Sequence, residues 1–204
     1  MTHLPRRRAL LAGCTLPLAL ALPAVARAQP DDLDVPPPPA LPPSAIDALL
    51  ASAQSAGGID DGHSRHRLYV FYDPNCPYCH RLYQQLLPYV ARGAVQVSWI
   101  TVGFLAPSSL RKAAAIVQSH DPLAALRRHQ RRYTASDAGH RDDASAVAVE
   151  PATRARLQRN LQMLRAVRAP GVPLTVWRGR DGQSRMMFGD IAPERLRELL
   201  SLLA

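Results

Sequence analysis

The chain has 204 residues, and about 175 remain once an N-terminal leader is set aside, which suits one ordinary hydrophobic core rather than two. Its formal net charge of +9 comes almost entirely from arginine, with Lys112 as the sole lysine. Four arginines lie in the leader. We interpret the remaining charge of about +5 as a compositional bias, and Arg127-Arg128 with Arg131-Arg132 as a solvated face, so no nucleic-acid partner is expected.

The first 28 residues have the three parts of a secretory signal peptide. Arg6-Arg7-Arg8 is followed by the apolar stretch Ala9–Val25 and by Ala26-Arg27-Ala28, a pattern that predicts cleavage after Ala28. A transmembrane anchor is disfavoured because the stretch is short, contains two prolines and ends in a cleavage pattern. We therefore predict an exported, periplasmic protein, in a compartment where disulfides persist.

Two further patterns in the leader concern the export route. Arg7-Arg8 followed by apolar residues is compatible with the twin-arginine (Tat) route, and the general secretory (Sec) route fits equally well. Leu11-Ala12-Gly13-Cys14 resembles a lipoprotein cleavage box, but the residues between it and the arginines are too few for an apolar core. Lipidation is therefore the less favoured alternative.

Residues 29–62 are predicted to form a proline-rich linker and a short helix. The run Pro36-Pro37-Pro38-Pro39 predicts an extended polyproline segment. Ser44 is predicted to cap a helix that ends at Ser55, before Gly57-Gly58. A polar loop is then expected to lead into the first strand.

Residues 63–204 form the predicted catalytic domain, and the order of its elements predicts the fold. Arg67–Tyr72 predicts a strand, and Val95–Val102 a second strand parallel to it, because an amphipathic helix crosses between them. The later elements are predicted as helices at Ser108–Ser119, Asp121–Tyr133 and Pro151–Arg168, a mobile loop at Ser136–Ala146, a hairpin of Leu174–Arg178 and Ser184–Phe188, and a closing helix at Pro193–Leu203. The order βαβ, helices, ββα is that of an α/β thioredoxin-like fold with an all-helical insertion at about 108–169.

The sequence Cys76-Pro77-Tyr78-Cys79 joins the first strand to the helix that follows it. Unpaired N–H groups and the positive end of the helix dipole stabilise a thiolate there, and the thiolate is the species that attacks disulfides. We expect Cys76, nearer the helix start and better exposed, to be the nucleophile. Cys79, one turn inward, is expected to resolve the mixed disulfide.

Three neighbouring residues and the distant Pro173 have predicted supporting roles. Pro77 fits the first helical turn, where its missing N–H costs nothing, and Tyr78 offers a flat surface to a substrate. His80 either stabilises the Cys76 thiolate as an imidazolium or is a solvated helix residue. Pro173 stands just before the strand that follows the insertion and is predicted to be a cis-proline whose neighbouring backbone pairs with substrate.

Other interpretations of the two cysteines remain open. They could form a structural disulfide or half of a zinc site, although the only other cysteine, Cys14, lies in the leader. With His80 they also match C-x-x-C-H, the attachment pattern of c-type haem. The haem interpretation predicts a helical surrounding and does not account for the strand before the motif. No metal or bound cofactor is expected.

Several stretches of the chain match a known family in order and nearly in spacing. They are Phe71–Cys79, Gln84-Gln85 with Pro88, Val95–Val97 leading to Val102-Gly103, Ala113–Ile116 with Asp121-Pro122, and Gly171-Val172-Pro173. From Leu68 to the C-terminus the chain resembles the catalytic domain of the periplasmic DsbC/DsbG proteins, DsbG in particular. The resemblance implies a thioredoxin fold, a redox-active disulfide between Cys76 and Cys79, and a cis peptide bond before Pro173.

Two departures from the DsbC/DsbG pattern leave the direction of exchange open. Those proteins have a separate N-terminal dimerisation domain, whereas only a proline-rich and short-helical segment precedes the first strand here, so we expect a monomer. Val172 stands where DsbC and DsbG carry threonine and DsbA carries valine. The resemblance implies that this position tunes redox poise and the release of partners.

The predicted function is that of a periplasmic thiol–disulfide oxidoreductase that reduces or isomerises protein disulfides. One alternative is a DsbA-like oxidant. Another is a chaperone or assembly factor that holds cysteine-containing clients without turnover. The partners expected are cysteine-containing periplasmic client proteins and a membrane redox protein of the DsbD or DsbB type.

Overall fold

The fold is seen in a computed structural model that describes residues 41–133 and 147–204. The predicted signal peptide with its cleavage site, most of the proline-rich segment and the loop predicted at Ser136–Ala146 lie outside these residues. Within the described ranges, no helix has the length and apolar character needed to cross a bilayer.

Within residues 41–133 and 147–204, five strands form a single mixed sheet. They are β1 (Ile59–Asp61), β2 (Arg67–Tyr72), β3 (Gln96–Thr101), β4 (Leu174–Arg178) and β5 (Ser184–Phe188). Their order in the sheet is β1-β3-β2-β4-β5, and β2 and β3 are parallel while the other neighbouring pairs are antiparallel. The predicted parallel pair and the C-terminal hairpin are confirmed.

In the part of the chain that the structure describes, six helices complete the fold. They are α1 (Pro43–Ser55), α2 (Pro77–Ala91), α3 (Ser109–Val117), α4 (Pro122–Arg132), α5 (Pro151–Ala166) and α6 (Pro193–Ser201). Helix α2 is the crossover between β2 and β3, and α3 to α5 form the insertion between β3 and β4. The predicted thioredoxin-like fold with a helical insertion is therefore confirmed, and the helix after Asp121 is capped as predicted, because its carboxylate accepts from the N–H of Ala124 at 2.9 Å.

The hydrophobic core lies around the two central strands. Every residue of β3 is buried, as are five of the six residues of β2, so both faces of these central strands are covered. Helix α1 buries Leu49, Leu50 and Ala53 in this same core. The short helix of the segment predicted as a linker thus packs on the catalytic domain.

Two local predictions in residues 43–62 were wrong. Helix α1 begins at Pro43 with Pro42 as its N-cap, and no side chain caps it. Neither proline has an N–H, and the N–H of Ala45 donates to the Pro42 carbonyl at 2.9 Å. The predicted polar loop contains β1, which pairs antiparallel with β3. A strand of three residues with two aspartates is too short for the alternation that identifies strands in a sequence.

The arginine face predicted on α4 is also corrected in part. Arg127 donates to the carboxylate of Asp61 at 2.6 Å, and Asp61 is only 1% exposed. The ion pair compensates a buried charge at the edge strand β1 and joins it to the insertion. Arg127, although half-exposed, is therefore a structural residue that pairs with a buried carboxylate. Its neighbour Arg128 is exposed.

We predict that Arg127→Met lowers the free energy of unfolding by about 1–2 kcal/mol, because it leaves the Asp61 carboxylate buried without its cation. The effect stays below that of a fully buried pair, since the arginine itself is half-exposed. Urea denaturation measures it. Arg128→Met is the matched control and should leave the midpoint unchanged; equal losses in both variants would contradict the assignment.

Candidate active site

Cys76 is the N-cap of α2. Its backbone is extended (φ −83°, ψ 115°), Pro77 occupies the first helical turn as predicted, and Sγ of Cys76 accepts from the N–H of Cys79 at 3.2 Å. The sulfur thus takes the place that a serine or aspartate oxygen holds in an ordinary cap. An N-cap sulfur faces the unpaired N–H groups and the positive end of the dipole, where a negative charge is most stable.

The surroundings of the two cysteines separate their acidities. The pKa of Cys76 is lowered by a hydrogen bond from the Cys79 thiol and by the N–H groups of Cys79 and Tyr78, against the opposing effects of burial and of the Asp73 charge. Burial, followed by the shared hydrogen bond and the charge on Cys76, raises the pKa of Cys79 well above its ordinary value. When the pair loses one proton, the thiolate therefore lies on Cys76.

The sequence predicts that Cys76 is better exposed than Cys79, but the difference found between them is small. Cys76 is 3% exposed and Cys79 is 1% exposed. The nucleophile is consequently distinguished by its position at the helix terminus rather than by access to solvent. Both residues are free thiols, so the structure describes the reduced form of the pair.

The segment before β4 lies directly against the first cysteine. The Val172–Pro173 peptide bond is cis, as predicted. The Cys76 thiol donates to the carbonyl oxygen of Val172 at 3.3 Å, and the carbonyl of Pro173 accepts from Gly189 at 2.8 Å. Cys76, Cys79, Val172 and Pro173 are thus brought together from the two halves of the fold.

His80 is placed away from the nucleophile. Its Nδ1 lies 2.6 Å from Oε1 of Gln130, and its ring stacks on Tyr133 with centroids 4.4 Å apart. Among the described residues, no hydrogen bond links its ring to Cys76, and the groups that lower the pKa of Cys76 do not include it. The geometry thus favours the predicted role of a solvated helix residue only in part, because the His80 ring contacts Gln130 and Tyr133 at the end of α4.

A buried carboxylate supports the loop that leads into the motif. Asp73 is 1% exposed and accepts four hydrogen bonds: from the backbone of Asn75 (2.9 Å), Phe104 (2.8 Å) and Leu105 (3.1 Å), and from the hydroxyl of Ser109 (2.7 Å). The backbone of Asp73 also accepts from the N–H of Cys76 at 3.0 Å. One aspartate therefore ties the cysteine loop to the start of the insertion.

Asn75 and Lys112 extend this network. The amide of Asn75 donates to the hydroxyls of Ser108 (3.0 Å) and Ser109 (2.8 Å), and its carbonyl oxygen accepts from Lys112 Nζ at 2.8 Å. Asn75 and Lys112 are each 3% exposed. Sequence reasoning missed these residues, although a single lysine that precedes Ala113-Ala114-Ala115-Ile116 on an apolar helix was a usable signal.

Exposed aromatic side chains lie on segments that adjoin the cysteine motif or the Val172–Pro173 segment. Tyr78 is 51% exposed, with the Arg81 guanidinium 5.3 Å from its ring centroid. Phe188 (49%) lies against Gly171, beside the Val172–Pro173 segment, and Phe104 (40%) is bonded through its backbone to Asp73. Large apolar groups are costly to expose, so such a rim is typical of a surface that contacts another chain.

The zinc interpretation can be compared with this geometry. A zinc site needs at least one more pair of ligands beside the two cysteines. In residues 41–133 and 147–204, no group of three or more His, Cys, Asp or Glu side chains is arranged to hold a metal ion.

Comparison with known families identifies the fold family. The thioredoxin-like domain family matches residues 61–204, more than half of the chain. The chain belongs to the thioredoxin-like domain family. Within it, the similarity to DsbG that the motifs predicted is confirmed by two relatives of known name.

The thiol:disulfide interchange protein DsbG of Pseudomonas aeruginosa is 33% identical over 134 residues, which are 65% of this chain and 50% of that protein. DsbG of Escherichia coli is 49% identical over 55 residues, 27% of this chain and 22% of that protein. The chain thus matches half or less of the length of these relatives. The crystal structure of a periplasmic thioredoxin-like protein from Salmonella enterica serovar Typhimurium has a TM-score of 0.61 at 24% identity, with 76% of this chain and 94% of that chain covered, which shows the shared fold.

We predict that Cys76 alkylation reaches its maximal rate at a lower pH than that of a free cysteine, whose pKa is about 8.5. The rate follows the thiolate fraction, so it rises with pH and levels off above the lowered pKa of Cys76. Cys79→Ala removes the strongest hydrogen bond to the thiolate and should raise this pKa, whereas Cys79→Ser keeps a donor. Ultraviolet absorbance of the thiolate measures both; identical titrations for the two variants would refute the role of the Cys79 thiol.

Proposed function

We propose that the chain is an exported thiol–disulfide oxidoreductase that reduces or isomerises protein disulfides through a mixed disulfide at Cys76. The single observation that carries this proposal is the position of the Cys76 sulfur as the N-cap of α2, opposite the Val172–Pro173 segment, where the pKa of Cys76 is lowered and that of the buried Cys79 is raised. A dithiol with one ionised and one protonated sulfur can attack a disulfide and then complete the exchange.

The proposed reaction has two exchange steps. The Cys76 thiolate attacks one sulfur of a client disulfide, so that a bond forms between Cys76 and the client, and the other client sulfur leaves as a thiolate that takes up a proton. Cys79 then attacks Sγ of Cys76 and loses its proton to the departing client thiolate. Two electrons pass to the client, and Cys76 and Cys79 become a disulfide. Isomerisation results when a client thiolate attacks the mixed disulfide first.

Client proteins are the proposed substrates, on two grounds. The apolar rim of Tyr78, Phe104 and Phe188 offers contacts to an extended polypeptide, and Arg81, held by Asp190 at 2.6 Å, lies beside it. The backbone next to Pro173 lies within 3.3 Å of Cys76, where a client strand would pair with it. Cysteine-containing periplasmic proteins are therefore the proposed clients.

Renewal of the dithiol requires a reductant, and a membrane protein of the DsbD type is the proposed source of electrons. The periplasmic location and the signal peptide cleaved after Ala28 are proposed from the leader sequence and from the similarity to DsbG. Among the described residues, the reaction uses only protein side chains and backbone, so no cofactor is included in the proposal.

A DsbA-like oxidant is the second candidate, and two observations favour it. The groups that lower the pKa of Cys76 also stabilise the reduced form, which makes a disulfide more oxidising. The chain carries valine at position 172, which by the family resemblance is the residue type that DsbA has there. In that case a DsbB-type partner would reoxidise the pair. Equilibration in glutathione buffers separates the candidates, because it gives the reduction potential of the Cys76–Cys79 pair. A difference of about 30 mV corresponds to about 1.4 kcal/mol for this two-electron couple.

We predict that Cys76→Ser abolishes the reduction of protein disulfides, because the remaining thiol, Cys79, is buried and its pKa is raised well above its ordinary value. Cys79→Ala should still attack and should accumulate a mixed disulfide with the client, which mass spectrometry detects. The chaperone alternative predicts the opposite for the first variant: full suppression of client aggregation with no dependence on Cys76. Turnover retained in Cys76→Ser would disprove the enzymatic mechanism.

We predict that the protein without its leader is monomeric in light scattering at micromolar concentration. The reason is that α1 uses Leu49, Leu50 and Ala53 for its own core and does not leave them for a partner. A stable dimer would disprove this prediction and would favour isomerase over oxidant activity.

A further inference from the structure

Lys112 is a buried cation beside the cysteine loop. It is the sole lysine of the chain, lies on α3 and is 3% exposed. A buried ammonium is costly unless anions and hydrogen-bond acceptors compensate it. One acceptor of Lys112 is the side chain of Asn75, the residue directly before the reactive Cys76.

A continuous chain of hydrogen bonds leads from this ammonium to the loop. Lys112 Nζ donates to the carbonyl oxygen of Asn75, whose amide donates to Ser109, and Ser109 donates to the carboxylate of Asp73. Asn75 directly precedes Cys76. The ammonium and the carboxylate are thus linked through two neutral side chains, Asn75 on the loop and Ser109 on α3.

The charge of Asp73 opposes ionisation of both cysteines. The hydrogen bond from Lys112 holds Asn75, the residue before Cys76, in the same buried network as Asp73. Ser109 is fully buried and Asn75 nearly so, which keeps water from screening the interaction.

We propose that Lys112 is a positioning residue for the nucleophile: its ammonium holds Asn75 against α3 and offsets the charge of Asp73, so that the loop presents Cys76 as a thiolate. This role rests on the proposed function, in which that thiolate attacks the client. Lys112 acts through Asn75 and Asp73 and does not itself touch the reacting sulfurs.

The first test compares two variants on the same helix. Lys112→Met should raise the pKa of Cys76 by about 0.5, which lowers the rate of alkylation about threefold at a pH below that pKa. Arg111→Met removes an exposed cation from the adjacent position and should leave the rate unchanged. A folded Lys112→Met protein with the wild-type titration would overturn the proposal, as would equal effects in both variants.

The second test needs no substitution at Lys112, so it remains decisive if Lys112→Met fails to fold. Because the chain has one lysine, isotope-labelled lysine gives a single side-chain ammonium signal in NMR spectra of the tag-free protein. This signal should shift as Cys76 ionises and should lose that shift in Cys76→Ser. A signal that does not respond to Cys76 ionisation would overturn the inference.

The two proposals fail in different ways. If the protein does not reduce disulfides but its Cys76 titration still depends on Lys112, the proposed function fails and the positioning role stands. If disulfide reduction depends on Cys76 while the Lys112→Met titration matches the wild type, only the positioning role is lost.

Discussion

The buried carboxylate of Asp73 is the interaction on which the candidate site depends. It accepts hydrogen bonds from the backbone that follows β2, from the backbone that follows β3 and from the first residue of α3. An ionised group hidden from water is tolerated only when several donors surround it. The hydrogen bonds that compensate this charge therefore also hold the cysteine loop against the insertion.

That arrangement has an electrostatic consequence for the cysteines. The charge of Asp73 and the burial of both sulfurs favour neutral thiols, whereas the start of α2 favours an anion. At Cys76 the Cys79 thiol and the helix N–H groups have the larger effect, so the pKa of Cys76 is lowered. At Cys79 burial has the larger effect, so its pKa is raised. Two chemically identical side chains, one turn apart, thereby differ in acidity as an attacking and a resolving thiol must.

The insertion supports the site as well as extending the fold. His129 of α4 contacts the carbonyl of Pro74 at 2.8 Å, and Gln130 contacts His80. Together with Lys112 on α3, these side chains hold the loop between β2 and α2 from one side. The Val172–Pro173 segment contacts Cys76 through the Val172 carbonyl, so the nucleophile lies between the insertion and the C-terminal half.

Local patterns in the sequence determined the long elements and the chemistry of Cys76 and Cys79, because strand alternation, helix capping and a C-x-x-C motif at a helix start act over a few neighbouring residues. They did not reveal β1, the pairing of Asp61 with Arg127 or the docking of His80 on α4. Each of these depends on contacts between residues distant in the chain. The cluster of Asp73, Asn75 and Lys112 has the same origin: only the packing of α3 against the cysteine loop made those polar groups partners, since burial and charge compensation are properties of the folded chain.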